Sequence, residues 1–260
     1  MVNSDHLTLV TWNVNGLRAQ LRKQSFSSIL ATKPDFICLQ ETRCTFEDLP
    51  AFELIEAGYH YAISESPSAG YAGTCILSKK AFNPWGPDRL AKEYKGRLQV
   101  VECGPFTLVN VYAPHGHRDQ RNLPEKHQFF EYLKVLIKTI AAAGPIIVAG
   151  DLNIAHHSID LSRPKANIRN TMFTEAERKH LDDLMALGLY DAFREMNPEL
   201  PGYTWWPWAG SARANNVGWR IDYVLLTKTA TILPIAAQVL RHEDGSDHCP
   251  VRVTLKLKST

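Results

Sequence analysis

Residues 245–250 read GSDHCP and set Asp247 beside His248 just before the last apolar run of the chain. Neighbouring side chains in a strand point to opposite faces, whereas in a loop both can turn toward one site. On its own, Gly-Ser-Asp is ordinary turn chemistry. Other polar groups, however, interrupt apolar runs in the same way. VTWNVNG ends on Asn13 and Asn15, FICLQET on Gln40 and Glu41, LVNVYAPHG on Tyr112 and His115, and IIVAGDLN on Asp151 and Asn153. WRIDYVL carries Asp222 inside its run. If these runs are strands of one layered core, their ends converge on one edge and the polar groups share a cleft.

Each residue alone also has a structural explanation. Asparagine at a strand end is common in turns, Glu41 could cap the segment after it, and Tyr112 could be a half-buried core aromatic with a wet hydroxyl. Asp222 is different: flanked by Ile221, Tyr223 and Val224, a buried carboxylate there needs a partner. His248 is the natural one, because a carboxylate bonded to one ring nitrogen fixes the tautomer and favours imidazolium. The set offers hard oxygen ligands, no thiolate cluster and an oriented histidine. That suits Mg²⁺, with Mn²⁺ as a substitute, and not zinc. Metal-assisted phosphodiester hydrolysis uses all of these parts.

The elements that must position them follow from periodicity. LTLVTW, FICLQ, GTCILS, LQVVEC, FTLVNVYA, PIIVAGD, IDYVLLT and VRVTLKL are short and rich in β-branched residues, so each is expected to be a strand. RKQSFSSILATK reads as a helix. EKHQFFEYLKVLIKTIAAAG reads as another, with Phe129, Leu133, Leu136, Ile137 and Ile140 on one stripe and Gly144 ending it. TEAERKHLDDLMALG reads as a third, with Thr174 as N-cap and Glu177 closing a capping box. Early alternation of strand and helix, then consecutive strands, is the order of an α/β (α+β) layered fold. No linker or repeat divides the chain, so one domain over residues 1–260 is the simplest organisation. The irregular stretches near 155–172 and 197–218 are long enough to suggest functional loops.

Composition narrows the class. Of 260 residues, 45% are apolar and 22% charged, as in soluble globular proteins. A net charge of +2 does not announce a polyanion partner. Locally, Arg163, Lys165, Arg169, Arg178, Lys179, Arg213 and Arg220 could form a basic face, or simply a solvated one. Five scattered cysteines without C-x-x-C spacing read as reduced thiols, not a disulfide frame or zinc site. MVNSDHLTLV lacks the pattern of a secretion signal, and no apolar run approaches membrane-spanning length. A location in the cytoplasm or nucleus is expected, without secretion or membrane attachment.

In TWNVNGLR, LQET, GYAGTCILS, NVYAP, GDLNIAHHSIDLSRPK, FTEAER, YTWWPW, NVGWRIDYVL and GSDHCP, in that order, the chain resembles the exonuclease III family of abasic-site (AP) endonucleases, within the endonuclease/exonuclease/phosphatase superfamily. GDLN recurs across the superfamily; its combination with NVGWRIDY is specific to the DNA-repair branch. The resemblance implies a four-layer αββα sandwich of the DNase I-like kind. It implies Glu41 as principal Mg²⁺ ligand with Asn13 and Asp247 nearby, and Asp151, Asn153 and His248 in the wider metal-facing set. Asp151 would orient or deprotonate the attacking water and Asn153 would hold that water or the phosphate. His248, held by Asp222, would donate to a phosphate oxygen, and Tyr112 would contact the phosphate or leaving group. Arg43, Tyr71, Arg118 and Asn170 would meet DNA, and Trp205, Trp219 and Ile221 would line the pocket for a base-free sugar. The implied partner is duplex DNA with abasic sites or 3′-blocked ends, bound by a monomer. Two positions depart from the family pattern: Arg43 stands where Lys is frequent, and Asn15 where some members carry Asp. A phosphatase or phospholipase of the same superfamily would keep the polar set but not NVGWRIDY or the tryptophans. A non-catalytic DNA-binding module would have lost at least one of the polar groups.

Overall fold

The computed structural model describes residues 6–258 apart from 69, 209 and 230, together with the backbone but not the side chain of Pro87. The start of MVNSDHLTLV and both ends of the 1–260 span therefore lie outside the described residues. In chain order the elements are β1 (His6–Asn13), α1 (Leu17–Arg22), α2 (Ser25–Ala31), β2 (Phe36–Gln40), α3 (Ala51–Glu56), β3 (His60–Ser64), β4 (Thr74–Ser78), β5 (Asn83–Pro84), β6 (Leu98–Glu102) and β7 (Thr107–Tyr112). They continue with α4 (Leu123–Ala141), β8 (Ile146–Asp151), α5 (Pro164–Asn167), α6 (Glu175–Ala186), β9 (Leu189–Asp191), α7 (Ala192–Met196), β10 (Asp222–Thr227), β11 (Ile232–Val239) and β12 (Val251–Leu257).

The strands form two sheets, ordered β11-β12-β1-β2-β4-β3 and β5-β6-β7-β8-β10-β9. Each contains one parallel pair, β1 with β2 and β7 with β8, and is otherwise antiparallel. Parallel neighbours need a crossover, supplied by α1 and α2 in the first sheet and by α4 in the second. The sheets pack face to face through Leu7, Leu9, Phe36, Cys38 and Ile76 of the first against Leu108, Ile147, Ala149, Val224 and Leu226 of the second. Val10, Trp12, Ile37 and Leu39 point the other way, onto Phe26 and Ile29 of α2 and Leu54 of α3. Val109, Val111, Ile146 and Val148 likewise face Phe129, Leu133 and Ile137 of α4 and Leu181 and Leu184 of α6. The order is helix, sheet, sheet, helix, the αββα sandwich expected of the DNase I-like fold.

All eight expected strands are present. Edge strands β3, β5, β9 and β11 were not singled out by apolar patterning: β9 and β5 are short, and β11 carries Pro234 beside a register shift, which only an edge tolerates. The single helix expected over RKQSFSSILATK is two. Gln24 takes a left-handed conformation (φ 59°) between α1 and α2. This turns α1 so that buried Gln20 donates to the carbonyls of Val14 and Gly245, tying the two loops that carry site residues. The α4 stripe is buried as expected, and Thr174 and Glu177 form the capping box of α6.

Glu177 has a second use. One of its oxygens accepts from Met172 N and from the fully buried Lys126 on α4, whose ammonium also donates to the Asn153 carbonyl at 2.7 Å. This ion pair couples α4, α6 and the segment after β8. Glu177→Ala would strand the Lys126 charge in the core, so we expect a loss of about 3–5 kcal/mol of folding stability, read as a shift of the urea unfolding midpoint.

Candidate active site

Strand register assembles the site. Tyr112 pairs with Asp151 across the parallel β7–β8 contact, and Asp151 pairs with Asp222 across the antiparallel β8–β10 contact. Tyr112, Asp151 and Asp222 therefore lie side by side on three adjacent strands. In the other sheet Asn13 pairs with Gln40. All five residues share strand parity with the side chains between the sheets. Asp222 opens its strand instead of lying inside it. Beyond the strand ends, Asn15 (φ 47°), Glu41 (φ 51°) and Asn153 (φ 52°) adopt left-handed backbone. A non-glycine residue does so at a cost of roughly 1–2 kcal/mol, which the surrounding hydrogen bonds must offset.

The 245–250 loop is locked over these strand ends. Ser246 Oγ donates to Asn13 O and accepts from His248 N, and Trp12 Nε1 donates to His248 O. Trp206 N donates to Asp247 O, and Arg213 donates to Ser246 O. The adjacent side chains then face different partners. Asp247 accepts from Asn15 Nδ2 (2.8 Å) and Trp205 Nε1 (3.0 Å). His248 places Nδ1 2.9 Å from Asp222 Oδ2 and Nε2 3.8 Å from Asp151 Oδ2. The pairing expected for Asp222 is present, and its other oxygen is buried with no hydrogen-bond partner among the described residues.

The remaining contacts knit acid to amide. Asn13 Nδ2 donates to Glu41 Oε1 (2.8 Å) and Asp151 Oδ2 (2.9 Å), while its Oδ1 accepts from Asn15 N. Asp151 Oδ1 accepts from Asn153 N (2.8 Å), and Asn153 Nδ2 is tied to Ala113 O. Arg43 pairs with the free oxygen of Glu41.

Electrostatics follow from burial and proximity. Burial alone would lower the His248 pKa, but the carboxylates of Asp222 and Asp151 more than reverse this and raise it to about 10. Burial pushes Asp151 up to about 7; His248 opposes the rise and Asp222 adds to it. Asp247 lies below the usual carboxylate range, because His248, Trp205 and Asn15 outweigh its burial. Burial, with Glu41 and Asp151 close by, raises the Tyr112 phenol well above its ordinary value, so it remains a donor. His115 is lowered to about 4 by burial, then by Lys126 and His117; its Nδ1 accepts from His117 N. Both shifts favour the protonated forms of His248 and Tyr112, beside the carboxylates that cause them.

Those carboxylates are suited to a hard cation. Asp151, Asp222 and His248 offer ligand atoms within 4.8 Å of one another, but His248 already has both ring nitrogens turned to carboxylates. Oxygens of Glu41 and Asp151 converge on the Asn13 amide, and carboxylate oxygen is the kind of donor that a hard divalent ion prefers.

The profile of the Endonuclease/Exonuclease/phosphatase family matches residues 10–248. The exodeoxyribonuclease of Bacillus subtilis is 35% identical over 96% of this chain and all of its own length. The chain belongs to this family, in its exonuclease III branch. The DNA repair nuclease APEX1 of Danio rerio is 34% identical over 96% of this chain and 82% of its own. Recombination repair protein 1 of Drosophila melanogaster is 36% identical over 95% of this chain, which spans only 37% of that protein. Among solved structures, the 3′ phosphatase NExo from Neisseria bound to a product DNA hairpin superimposes with TM-score 0.87 at 26% identity, covering 97% of this chain and 100% of that one. An AP endonuclease from Archaeoglobus fulgidus superimposes with TM-score 0.85 at 25% identity, covering 95% and 98%.

The other residues expected in this family site are distributed unevenly. Trp205 and Trp219 exchange backbone hydrogen bonds and pack with Ile221 against Leu161, Met172 and Phe173, beside the Asp247 and His248 loop. Of the tryptophans in YTWWPW, Trp206 is buried core and Trp208 is largely exposed. Half-exposed Tyr71 accepts from Arg97 Nη2 at 2.6 Å. Arg118 and Asn170 stand exposed on two loops that touch where Gln120 donates to Arg169 O. The basic face must be redrawn. Arg220 is fully buried in ion pairs with Asp160 and Asp191, and Arg213 is spent on the carbonyls of Ser246, Arg241 and Glu243. Arg163, Lys165, Arg169 and Lys179 remain exposed. The cysteines are free thiols, all but Cys103 buried, and burial raises Cys38 and Cys75 far above thiolate range. Among the described residues no helix is long and apolar enough to cross a membrane.

Sequence reasoning missed Arg97, buried between the Tyr71 and Tyr112 rings at 5.2 and 5.0 Å, and the Lys126 anchor of Asn153. Neither lies in a motif; only the apolar setting of a lone cation hints at them.

His248 gives the pH prediction. A pKa raised in the folded state contributes stability that is fully present below the ordinary histidine value of 6.5 and lost as pH rises toward about 10. Asp222→Asn should lower the His248 titration seen by ¹H–¹⁵N NMR. The wild-type advantage over this variant in denaturant unfolding should shrink across that window.

Proposed function

We propose that the protein is a Mg²⁺-dependent DNA repair nuclease that hydrolyses the phosphodiester 5′ of an abasic site in duplex DNA. It acts as a monomer, with some 3′-to-5′ exonuclease or 3′-end-cleaning activity on the same site. The observation that carries this reading is the pairing of His248 with Asp222 directly opposite Asp151, beside the apolar cluster to which Trp205, Trp219 and Ile221 belong. A small apolar pocket admits a deoxyribose that has lost its base and excludes one that has not, and extrusion costs least where stacking is already lost.

Glu41 and Asp247, with Asp151 and the Asn13 and Asn153 amides nearby, are the residues that would hold Mg²⁺. When bound it neutralises charge on the phosphate oxygens and the departing alkoxide. The protein's own groups do the rest. Asp151, held by Asn13 and the Asn153 amide N–H, is deprotonated above pH 7 or so and accepts the proton of the attacking water. Imidazolium at His248 directs Nε2–H toward a non-bridging oxygen, and the protonated Tyr112 donates from the other side. Donors fixed before charge develops are worth most in such a site. Arg43, Tyr71, Arg118 and Asn170 would grip the strand on either side, Tyr71 being held by Arg97.

The direct test is incision of duplex DNA with a single abasic site, with Mg²⁺ and with a chelator, beside intact duplex and an inositol phosphate. Glu41→Ala and Asp151→Asn should each lower turnover by roughly two to three decades; more than half of wild-type turnover at saturating metal overturns the assignment. A second comparison separates the two neighbours in the loop. Asp222→Asn should cut turnover with near-normal Mg²⁺ dependence, whereas Asp247→Ala should require more Mg²⁺ and recover part of its rate when given it. The reverse pattern would contradict this division of roles.

A further inference from the structure

Away from the cleft, the contact between α4 and α6 carries a second group of ligating side chains. Glu131 of α4 and His180 and Asp183 of α6 each present a ligand atom, all within 4.8 Å of one another. His180 and Asp183 are three apart on one helix face, and Glu131 comes from the facing helix. The buried His180 ring is fixed in direction. It stacks on Phe130 (centroids 4.9 Å, planes 11° apart), and its Nε2 lies 2.7 Å from His127 Nδ1. This leaves Nδ1 aimed at Glu131 Oε1 4.0 Å away, too far for a hydrogen bond. Positive charge is already drawn to the spot: Lys134 Nζ lies 2.6 Å from Glu131 and 3.5 Å from Asp183, and Lys179 lies 2.9 Å from Asp183.

We propose that Glu131, His180 and Asp183 form a second metal site, for a borderline divalent ion such as Zn²⁺ or Co²⁺, with His127 holding the ligand ring. One imidazole with two carboxylates suits such an ion better than Mg²⁺, which favours oxygen alone. A hydrogen bond to the far nitrogen of a ligating histidine is the usual support for its orientation. Ligands at about 2.0–2.2 Å from one ion sit roughly 3–3.5 Å apart, so the cluster must contract by about an ångström. Exposed Glu131 has the freedom to supply that movement. Lys134 is the competing cation and must swing away. The bound ion would cross-link α4 to α6, the helices whose Lys126–Glu177 pair supports Asn153.

The test is calorimetric titration of the full chain with Co²⁺ in excess Mg²⁺, comparing wild type with a Glu131→Gln/Asp183→Asn double variant. Both substituted carboxylates are partly exposed, so the variant should fold. Wild type should bind one more equivalent of Co²⁺ than the variant, and Zn²⁺ should raise its Tm more. Lys134→Ala should tighten the extra binding about tenfold by removing the competitor. Equal stoichiometry and equal Tm response in wild type and double variant would overturn the site. The readout is binding, so it stands apart from whether the cleft cleaves DNA.

Discussion

Side chains alternate along a strand, and in a two-sheet sandwich that alternation leaves each strand one row facing the opposite sheet. The protein uses that row for two purposes in sequence. Leu7 and Leu9, Phe36 and Cys38, Ile147 and Ala149, and Leu226 and Val224 fill the middle with apolar volume. One or two steps on, the same rows reach Asn13, Gln40, Asp151 and Asp222. Between the two zones Gln40 bonds Thr11 and Asn110, and Asn110 donates to the Leu39 and Cys75 carbonyls. A graded passage from apolar to amide to ionised groups keeps each layer satisfied by the next. A one-residue slip in β8 would exchange Asp151 for Gly150. It would also fail sterically, because a Cβ at Gly150 would lie 1.9 Å from the Val111 carbonyl oxygen.

Burying Asp151, Asp222 and His248 together is costly unless each charge is answered. Asp222 and His248 answer one another. Asp151 depends on the amides of Asn13 and Asn153, and those depend on neighbours of which only Lys126 lies outside the motifs. Asn153 is held by Ala113 and by Lys126 through its carbonyl; Asn13 is held by Asn15 and Ser246. The same logic explains Arg220. Its guanidinium pairs with Asp160 and Asp191, so NVGWRIDY supplies Trp219 and Ile221 to the apolar cluster, a structural ion pair and the His248 partner within one short run.

How much of this was legible in the sequence depends on the range of the interaction. The central strands show themselves by composition, and their polar ends by interrupting it, so Asn13, Glu41, Tyr112, Asp151 and Asp222 stand out in the sequence itself. Thr174 and Glu177 were equally plain because a capping box is local. What escaped was long-range. Lys126 and Glu177 lie 51 positions apart and Arg220 and Asp160 lie 60 apart, and no local pattern marks such pairs. Arg220 looked like surface charge for that reason. The break at Gln24 was hidden because nothing in RKQSFSSILATK resists a helix; the requirement comes from Gln20 reaching Val14 and Gly245.

The adjacency of Asp247 and His248 can now be given its physical reason. The cleft lies between two sheets, so it has two walls, and a segment threading its mouth needs consecutive side chains turned to different walls. His248 makes a single antiparallel bridge with Trp205, which gives this segment a local extended alternation. One side chain turns to Asn15, just past the end of β1 of the first sheet, and the next to Asp222 and Asp151 in the second. Inserting one residue between them would put both on one wall and leave Asp222 buried without its histidine. The opposite orientation of neighbours in extended chain, which first seemed to argue against a shared site, is what lets one dipeptide serve both sides of it.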